Sequence, residues 1–167
     1  MAVPYSRGMT STIEPFVVLP GEGEKLRGPV GGPARILARA ETTNGGFTAI
    51  ENEIPPDQGP PEHIHVREDE MYFVFEGSIR FKAAGRYFDA PAGAFMFIPR
   101  GTKHSFRNIG QGPARLLVMF APAGMERFFE GIAGLPPGAP DAGTYREIAH
   151  SAWMEVVGPP MAQGEGD

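Results

Sequence analysis

The chain has 167 residues, and 41% of them are hydrophobic. This is enough apolar material for the core of one domain, whereas two domains of this total length would each have a small core. The net charge of −5, without any basic run, argues against a nucleic acid or an anionic membrane as a partner. The chain has no cysteine, which excludes disulfide bonds and thiolate metal ligands.

The beginning of the chain carries no recognisable targeting segment. Residues 1–15 are polar and mixed, and we expect them to form a flexible arm. The first twenty residues lack the long apolar run of a signal peptide, and no run in the chain reaches the length needed to span a membrane. We therefore expect a cytoplasmic protein.

Glycine and proline separate a series of short apolar runs, a pattern typical of β-strands joined by turns. The runs predict strands at residues 16–19, 35–40, 47–54, 71–75, 78–82, 86–89, 95–98, 104–108 and 116–121. Residues 21–33 are rich in glycine and charge and are predicted to form a loop. The pair Asn44-Gly45 is a strong signal for a tight hairpin between the second and third strands. About eight to ten such strands predict a β-barrel or a double-sheet sandwich.

The pattern changes from strands to short helices after residue 122. Phe128, Phe129 and Ile132 recur at helical spacing, and a second short helix is predicted from residue 144 to about 154. The expected organisation is a flexible N-terminal arm at 1–15, a β-barrel at 16–122, a short helical extension at 123–157 and a disordered tail at 158–167.

Three of the four histidines in the chain lie in two short stretches. His63 and His65 are separated by one residue, so on a strand their side chains point to the same face. Glu70 follows His65 after four residues, and His104 lies in the second stretch. Two imidazoles on one face, followed by a carboxylate, are a natural beginning for a divalent metal site. His150, near the end of the chain, is expected to have no part in it.

The two stretches resemble the paired motifs of the cupin superfamily. The first motif is a glycine, His-x-His, a glutamate three or four residues later and a glycine six residues after that, and the chain has His63, His65, Glu70 and Gly77 at this spacing. The leading glycine departs from the pattern, because Gly59 lies closer to His63 than the motif requires. The second motif, Gly-x5-Pro-x-Gly-x2-His-x3-Asn, is met at every position by Gly93, Pro99, Gly101, His104 and Asn108.

This resemblance implies the fold and the metal ligands. The implied fold class is all-β, a cupin double-sheet jelly-roll β-barrel with short C-terminal helices. The implied cofactor is one divalent transition metal per chain (Fe, Mn, Ni, Co, Cu or Zn), and its ligands would be His63, His65, Glu70 and His104. Asp69 is the alternative carboxylate, but the spacing to Gly77 favours Glu70. Four protein ligands on a six-coordinate ion leave positions for dioxygen and a substrate oxygen.

The resemblance also implies an enzymatic function with a small-molecule substrate. The leading hypothesis is a quercetinase-like dioxygenase acting on a small aromatic or enolic compound of flavonol or polyketide type, in which Glu70 also takes a proton as the catalytic residue. One alternative is a non-redox, metal-dependent cyclase or isomerase, and another is a non-catalytic protein that binds a metal or a small ligand. Tyr72, Phe97 and Phe106 are the candidate residues of the substrate pocket.

The run at 71–75 is apolar on both faces, so a second surface must cover the face that points away from the barrel interior. The second sheet or a partner subunit could supply that cover. Because many cupins of this type form dimers, the resemblance favours a homodimer, without a nucleic acid or a membrane as a partner.

Overall fold

The structure is a computed structural model that describes residues 13–167. Most of the predicted flexible arm, residues 1–12, lies outside the described residues. The described chain contains eleven strands: β1 Glu24–Arg27, β2 Pro33–Ala38, β3 Thr48–Ile54, β4 Pro61–His65, β5 Asp69–Glu76, β6 Ser78–Ala83, β7 Arg86–Pro91, β8 Phe95–Ile98, β9 His104–Asn108, β10 Ala114–Ala121 and β11 Met154–Pro160. Over the same residues there are three helices: α1 Ala40–Thr43, α2 Glu126–Ala133 and α3 Ala142–Ser151.

The strands form two antiparallel sheets that face each other. The large sheet has the order β1-β2-β3-β10-β5-β8, and the small sheet has the order β11-β4-β9-β6-β7. Alternate residues of the strands point between the sheets, and the resulting core contains Ile50, Ile54, Val74, Ile79, Phe81 and Leu116. The predicted fold class, a double-sheet jelly-roll β-barrel with short C-terminal helices, is confirmed. None of the helices from residue 13 onward is long and apolar enough to cross a membrane.

The first strand lies later in the chain than the sequence pattern predicts. Residues 16–19 form no strand, and Val17 is 76% exposed. The strand β1 instead begins at Glu24, within the predicted loop, and pairs with β2. Its sequence, Glu-Lys-Leu-Arg, has only one apolar residue, because an edge strand buries little of its surface. An apolar run was therefore a poor guide to the edge of the large sheet.

The Asn44-Gly45 pair forms a different turn from the predicted hairpin. The strands on either side, β2 and β3, do pair antiparallel. The connection between them, however, contains the short helix α1, and Asn44 ends that helix in the left-handed conformation with φ of 53°. The same tolerance of positive φ that suits asparagine to a tight hairpin also suits it to a helix end.

The last residues contact the barrel, whereas the sequence predicts a disordered tail at 158–167. Strand β11 continues to Pro160 and pairs with β4. Beyond it, Arg107 donates a hydrogen bond of 2.9 Å to the carbonyl oxygen of Met161, and Lys82 lies 2.7 Å from the carboxylate of Glu165. These contacts come from distant parts of the chain, so the local composition of the tail does not reveal them.

The carboxylate of Glu126 joins three segments of the fold at the beginning of α2. It accepts hydrogen bonds of 3.0 Å from the backbone amides of Ala40 and Gly124, and a short one from the hydroxyl of Thr48. Burial alone would raise the pKa of this carboxyl, but these hydrogen bonds outweigh it and hold the pKa below the usual value of 4.5.

Replacing Glu126 by alanine should therefore destabilise the protein by roughly 2–4 kcal/mol at pH 7, because three donors lose a charged acceptor. Urea unfolding measures this difference. The folded-state pKa is below the unfolded one, so the contribution is present above pH 4.5 and is lost as the pH falls through the folded-state value. Glu147→Ala, at an exposed position of α3, is the matched control and should stay within about 0.5 kcal/mol of the wild type. Equal stability of the two variants would contradict the role of Glu126.

Candidate metal centre

The four predicted ligands come from both sheets and meet in the interior. His63 and His65 lie on β4 and point inward, and His104 begins the neighbouring strand β9 directly opposite His63. Glu70 lies on β5, in the large sheet. All four side chains are buried. The cluster therefore spans the space between the two sheets, with the imidazoles on one side and the carboxylate on the other.

The donor atoms of these four residues are close enough to share one ion. One ligand atom from each of them lies within 4.8 Å of the others. Oε2 of Glu70 lies 2.7 Å from Nε2 of His104 and 3.2 Å from Nε2 of His65. Three imidazole nitrogens and one carboxylate oxygen are a donor set that suits divalent first-row transition metals.

The backbone orients two of the imidazoles toward the centre of the cluster. Nδ1 of His63 donates a hydrogen bond of 2.7 Å to the carbonyl oxygen of Pro61, and Nδ1 of His104 donates one of 2.8 Å to that of Thr102. Each contact places the Nδ1 proton outward and directs Nε2 to the centre, as metal-binding histidines require. His65 is buried and neither of its ring nitrogens makes a hydrogen bond, which fits a ligand whose partner is a metal.

The electrostatics of the cluster favour the metal-binding protonation states of Glu70 and His63. Burial alone would raise the pKa of the Glu70 carboxyl, but His65 and His104 hold it well below its usual range. Burial, together with His104 and His65, lowers the pKa of His63 well below its usual value. Burial alone would also lower the pKa of His104, but Glu70 raises it, so binding of a metal there would release a proton. The four residues therefore fit a metal ion by geometry and orientation, and Glu70 and His63 also fit it by charge.

A cavity of about 40 Å³ adjoins the cluster. His63, His65 and Glu70 form part of its lining. The hydroxyl of Tyr72 donates a short hydrogen bond to Oε1 of Glu70. The remaining lining is mostly apolar and comes from the barrel strands and from the C-terminal helices, including Phe106, Val118, Phe120, Met125, Phe128 and Tyr145. The candidate ligands thus face a small, largely hydrophobic chamber.

Comparison with known proteins identifies the architecture. A family model described as a cupin domain matches residues 51–120. Residues 51–120 are thus similar to a cupin domain, and the fold agrees with this match. Its barrel is similar to the crystal structure of an RmlC-like cupin from Shewanella frigidimarina, with a TM-score of 0.54 and 18% sequence identity over 68% of this chain and 93% of that one. At that level of identity the likeness concerns the fold alone.

Two curated relatives carry functional names. The chain is 28% identical over 116 residues to the quercetin 2,3-dioxygenase of Bacillus subtilis, which corresponds to 69% of this chain and 34% of the relative. It is 29% identical over 70 residues to the tetracenomycin polyketide synthase protein TcmJ of Streptomyces glaucescens, over 42% of this chain and 47% of that protein. The matched regions thus span about a third to a half of the length of these relatives.

The predicted pocket residues do not all reach the cavity. Tyr72 and Phe106 line it, whereas Phe97 lies on the outer face of the barrel and is 51% exposed. Phe97 pairs across the sheet with Met71, while Tyr72 pairs with Met96. Paired residues share a face of an antiparallel sheet, so Phe97 points away from Tyr72. The sequence alone did not show which face of β8 turns inward, and in the structure Phe97 is on the outer face, away from the cavity.

Other charged residues near the motifs lie outside the cluster. Asp69, the alternative carboxylate, faces away from it and holds Arg100 at 2.9 Å, and Arg100 in turn lowers the pKa of Asp69 to about 2 through its hydrogen bonds. His150 is exposed on α3 and takes no part in the cluster.

Two polar residues that line the cavity were not among the predicted site residues. Asn52 lies on β3 between the inward-facing Ile50 and Ile54, so strand alternation already placed it inside the barrel. Tyr145 lies on α3, on the apolar side of a predicted helix. The helical pattern indicated a buried face but contained no information about which part of the barrel that face covers.

Removing one imidazole should abolish tight metal binding while a control histidine has no effect. We expect near-stoichiometric metal in wild-type protein prepared without a histidine tag. His104→Ala should lower metal affinity by more than about 100-fold, because loss of a ligand costs more affinity than loss of a hydrogen bond that orients a ligand. His150→Ala should retain the wild-type metal content. Elemental analysis measures all three proteins. A His104→Ala variant that keeps its metal would refute this assignment of the site.

Proposed function

We propose that this protein is a metal-dependent dioxygenase that acts on a small aromatic or enolic substrate. The observation that carries the proposal is the convergence of four buried metal-type donors on a small hydrophobic cavity. A closed structural site would not adjoin space for further ligands. The match to a quercetin 2,3-dioxygenase over 69% of the chain supports the same class of reaction.

His63, His65, Glu70 and His104 would hold the metal in this function. A bound divalent ion of the first transition row supplies Lewis acidity and brings dioxygen and substrate together. The walls formed by Phe106, Val118 and Phe120 exclude water from the site, which strengthens the electrostatic interactions inside it.

Glu70 is the residue that accepts the substrate's hydroxyl proton in this proposal. Its carboxylate is buried, and the neighbouring imidazoles keep the pKa low, so it is ionised before substrate arrives. The hydroxyl of Tyr72 donates to Oε1 and fixes the direction of the carboxylate. Tyr72 itself remains protonated, because burial and the charge of Glu70 raise its pKa well above the usual value.

The size of the cavity limits what reaches the metal. A volume of about 40 Å³ holds a few water molecules or a group of a few non-hydrogen atoms, far below the ~300 Å³ of typical pockets for larger ligands. Either the substrate is small, or only the reactive end of a larger molecule enters. An enol or phenol group at that end fits the volume of the cavity and carries the hydroxyl proton that Glu70 accepts.

A metal-dependent cyclase or isomerase is the second candidate. The match to a polyketide synthase protein over 42% of the chain favours it. The same residues would serve, with Glu70 taking a proton next to a carbonyl group and no oxygen being consumed. Consumption of dioxygen therefore distinguishes the dioxygenase from the cyclase or isomerase.

Oxygen uptake with a panel of enolic compounds tests the proposal. Protein loaded with Fe, Mn, Co, Ni or Cu should consume one equivalent of dioxygen per product. Glu70→Gln should lower the rate per bound metal by about 100-fold or more, because a general base is lost. Asp69→Asn, which alters the neighbouring carboxylate that faces Arg100, should retain most of the rate. Product formation without oxygen uptake would replace the dioxygenase by the cyclase or isomerase.

We also propose that the protein forms a homodimer through the outer face of the large sheet. Phe95 and Phe97 on the edge strand β8 are 65% and 51% exposed, and Phe73 and Phe75 on β5 extend this face. A contiguous exposed apolar face is typical of an interaction surface. A second copy presents the same face, so the two surfaces match about a two-fold axis.

Sedimentation velocity at micromolar concentration tests the dimer. The wild type should sediment as a dimer, and the double variant Phe95→Glu/Phe97→Glu as a monomer, because like charges would meet across the two-fold contact. Val157→Glu, at an exposed apolar position of the small sheet, is the control and should remain dimeric. A monomeric wild type would remove the proposal.

A further inference from the structure

Tyr145 is a buried residue whose hydroxyl group has no hydrogen-bond partner among residues 13–167. Its side chain is buried, with only 8% of the residue exposed, and its ring packs edge-on against Phe128 at 5.4 Å between centroids. Its hydroxyl makes no hydrogen bond to any of residues 13–167. Buried polar groups in proteins are nearly always hydrogen-bonded, so an unpaired phenol in the interior needs a reason.

Tyr145 belongs to the wall of the cavity beside the candidate metal ligands. It lines the same cavity as His63, His65 and Glu70. Tyr72, whose hydroxyl donates a hydrogen bond to the Glu70 carboxylate, is also part of this lining. The cavity wall therefore carries two phenols together with the carboxylate that receives the proton in the proposed reaction.

A second buried polar group in this cavity is also unpaired. Asn52 is only 5% exposed and lines the cavity, and its Oδ1 atom has no hydrogen-bond partner among the described residues. Asn52 lies on β3 of the barrel and Tyr145 on α3 of the C-terminal extension, so the two unpaired polar groups belong to separate elements of the fold. Two unpaired groups in one small chamber point to a polar ligand within it.

Tyr145 also lies between the chamber and the surface. A groove of about 590 Å³ runs along α3 and β11 and is lined by Pro61, Pro140 and Val156 among others. The groove and the cavity share two wall residues, Pro29 and Tyr145. Tyr145 therefore forms part of the wall that separates the cavity from this groove.

We propose that Tyr145 binds the substrate directly, by donating a hydrogen bond to a second oxygen atom of a molecule whose first oxygen lies at the metal site. Asn52 provides a further polar contact to the same molecule. This inference rests on the proposed metal-dependent function and narrows its substrate class to compounds with two neighbouring oxygen groups, such as a carboxylate, a hydroxyketone or the enol of a 1,3-dicarbonyl. Compounds with a single oxygen would lack the contact to Tyr145.

The position of Tyr145 makes it a specificity-determining residue. It lies outside residues 51–120, the segment that matches the cupin domain. The metal ligands all lie inside that segment. The barrel thus supplies the metal site, and the C-terminal extension of this chain supplies a group that distinguishes among the molecules that approach it.

Binding of formate to the Co(II)-loaded protein tests this role without any turnover. Formate has two oxygens and fits the volume of the chamber, whereas chloride binds a metal through one atom and has no second oxygen. In Tyr145→Phe we expect formate affinity to fall about tenfold, the equivalent of one hydrogen bond, with chloride affinity and metal content unchanged. Titrations followed by the visible spectrum of Co(II) give both affinities.

Two further variants and a stability measurement complete the experiment. Tyr87→Phe removes a phenol that bonds Glu165 on the outside of the barrel, and it should bind formate like the wild type. Asn52→Leu should weaken formate binding in the same direction as Tyr145→Phe. The melting temperature of metal-free Tyr145→Phe should equal or exceed that of the wild type, because the lost hydroxyl has no partner in the protein.

The outcomes separate the two proposals. Unchanged formate affinity in a Tyr145→Phe protein that holds Co(II) would overturn the role of Tyr145 and leave the metal site intact. Equal losses of formate and chloride affinity, with a lower melting temperature, would assign Tyr145 a structural role and also overturn the inference. A wild-type protein that binds no Co(II) would overturn the metal-dependent function, and the inference with it.

Discussion

The buried carboxylate of Glu70 is the constraint around which the interior is arranged. A charge removed from water is costly unless it is paired and hydrogen-bonded, and Glu70 meets this requirement with His104 across the barrel and Tyr72 along its own strand. Because the carboxylate belongs to the large sheet and the imidazoles to the small one, the two sheets must keep a fixed separation and register at this point. The geometry of the candidate metal centre and the packing of the sheets therefore depend on the same contacts.

The C-terminal segment completes the wall of the cavity beside this polar cluster. Met125, which precedes α2, Phe128 from α2 and Tyr145 from α3 add to the walls that the barrel strands form. The carboxylate of Glu126 holds the beginning of α2 against the barrel, close to the start of β3. A part of the chain that contributes none of the four candidate ligands thus shapes the space beside them and the polar groups that line it.

The cluster of four candidate ligands could be predicted from the sequence because the motif spacing is local. His63 and His65 share a face through strand periodicity, and the interval to Glu70 is short enough to be informative. Phe97 shows where such reasoning ends, since an aromatic strand does not reveal which of its two faces turns inward. The pairing of β11 with β4 depends on contacts between residues about ninety positions apart, and the place of Tyr145 at the cavity depends on how α3 packs on the rest of the fold, so composition carries no trace of either. Asn52 is an intermediate case. Strand alternation predicts that its side chain points into the barrel, but the sequence does not predict that its Oδ1 atom lacks a hydrogen-bond partner.

The pairing of β4 with β11 has a consequence for the order in which the protein matures. The strand that carries His63 and His65 has β9 on one side, where a single residue pair joins them, and β11 on the other. Residues Met154–Pro160 are synthesised about ninety residues after the histidine strand, which lacks its principal neighbour until then. The nascent chain can pair its earlier strands first, but this edge of the small sheet is completed only when β11 arrives. A metal ion held by these histidines would therefore bind to a site whose backbone support comes late in synthesis.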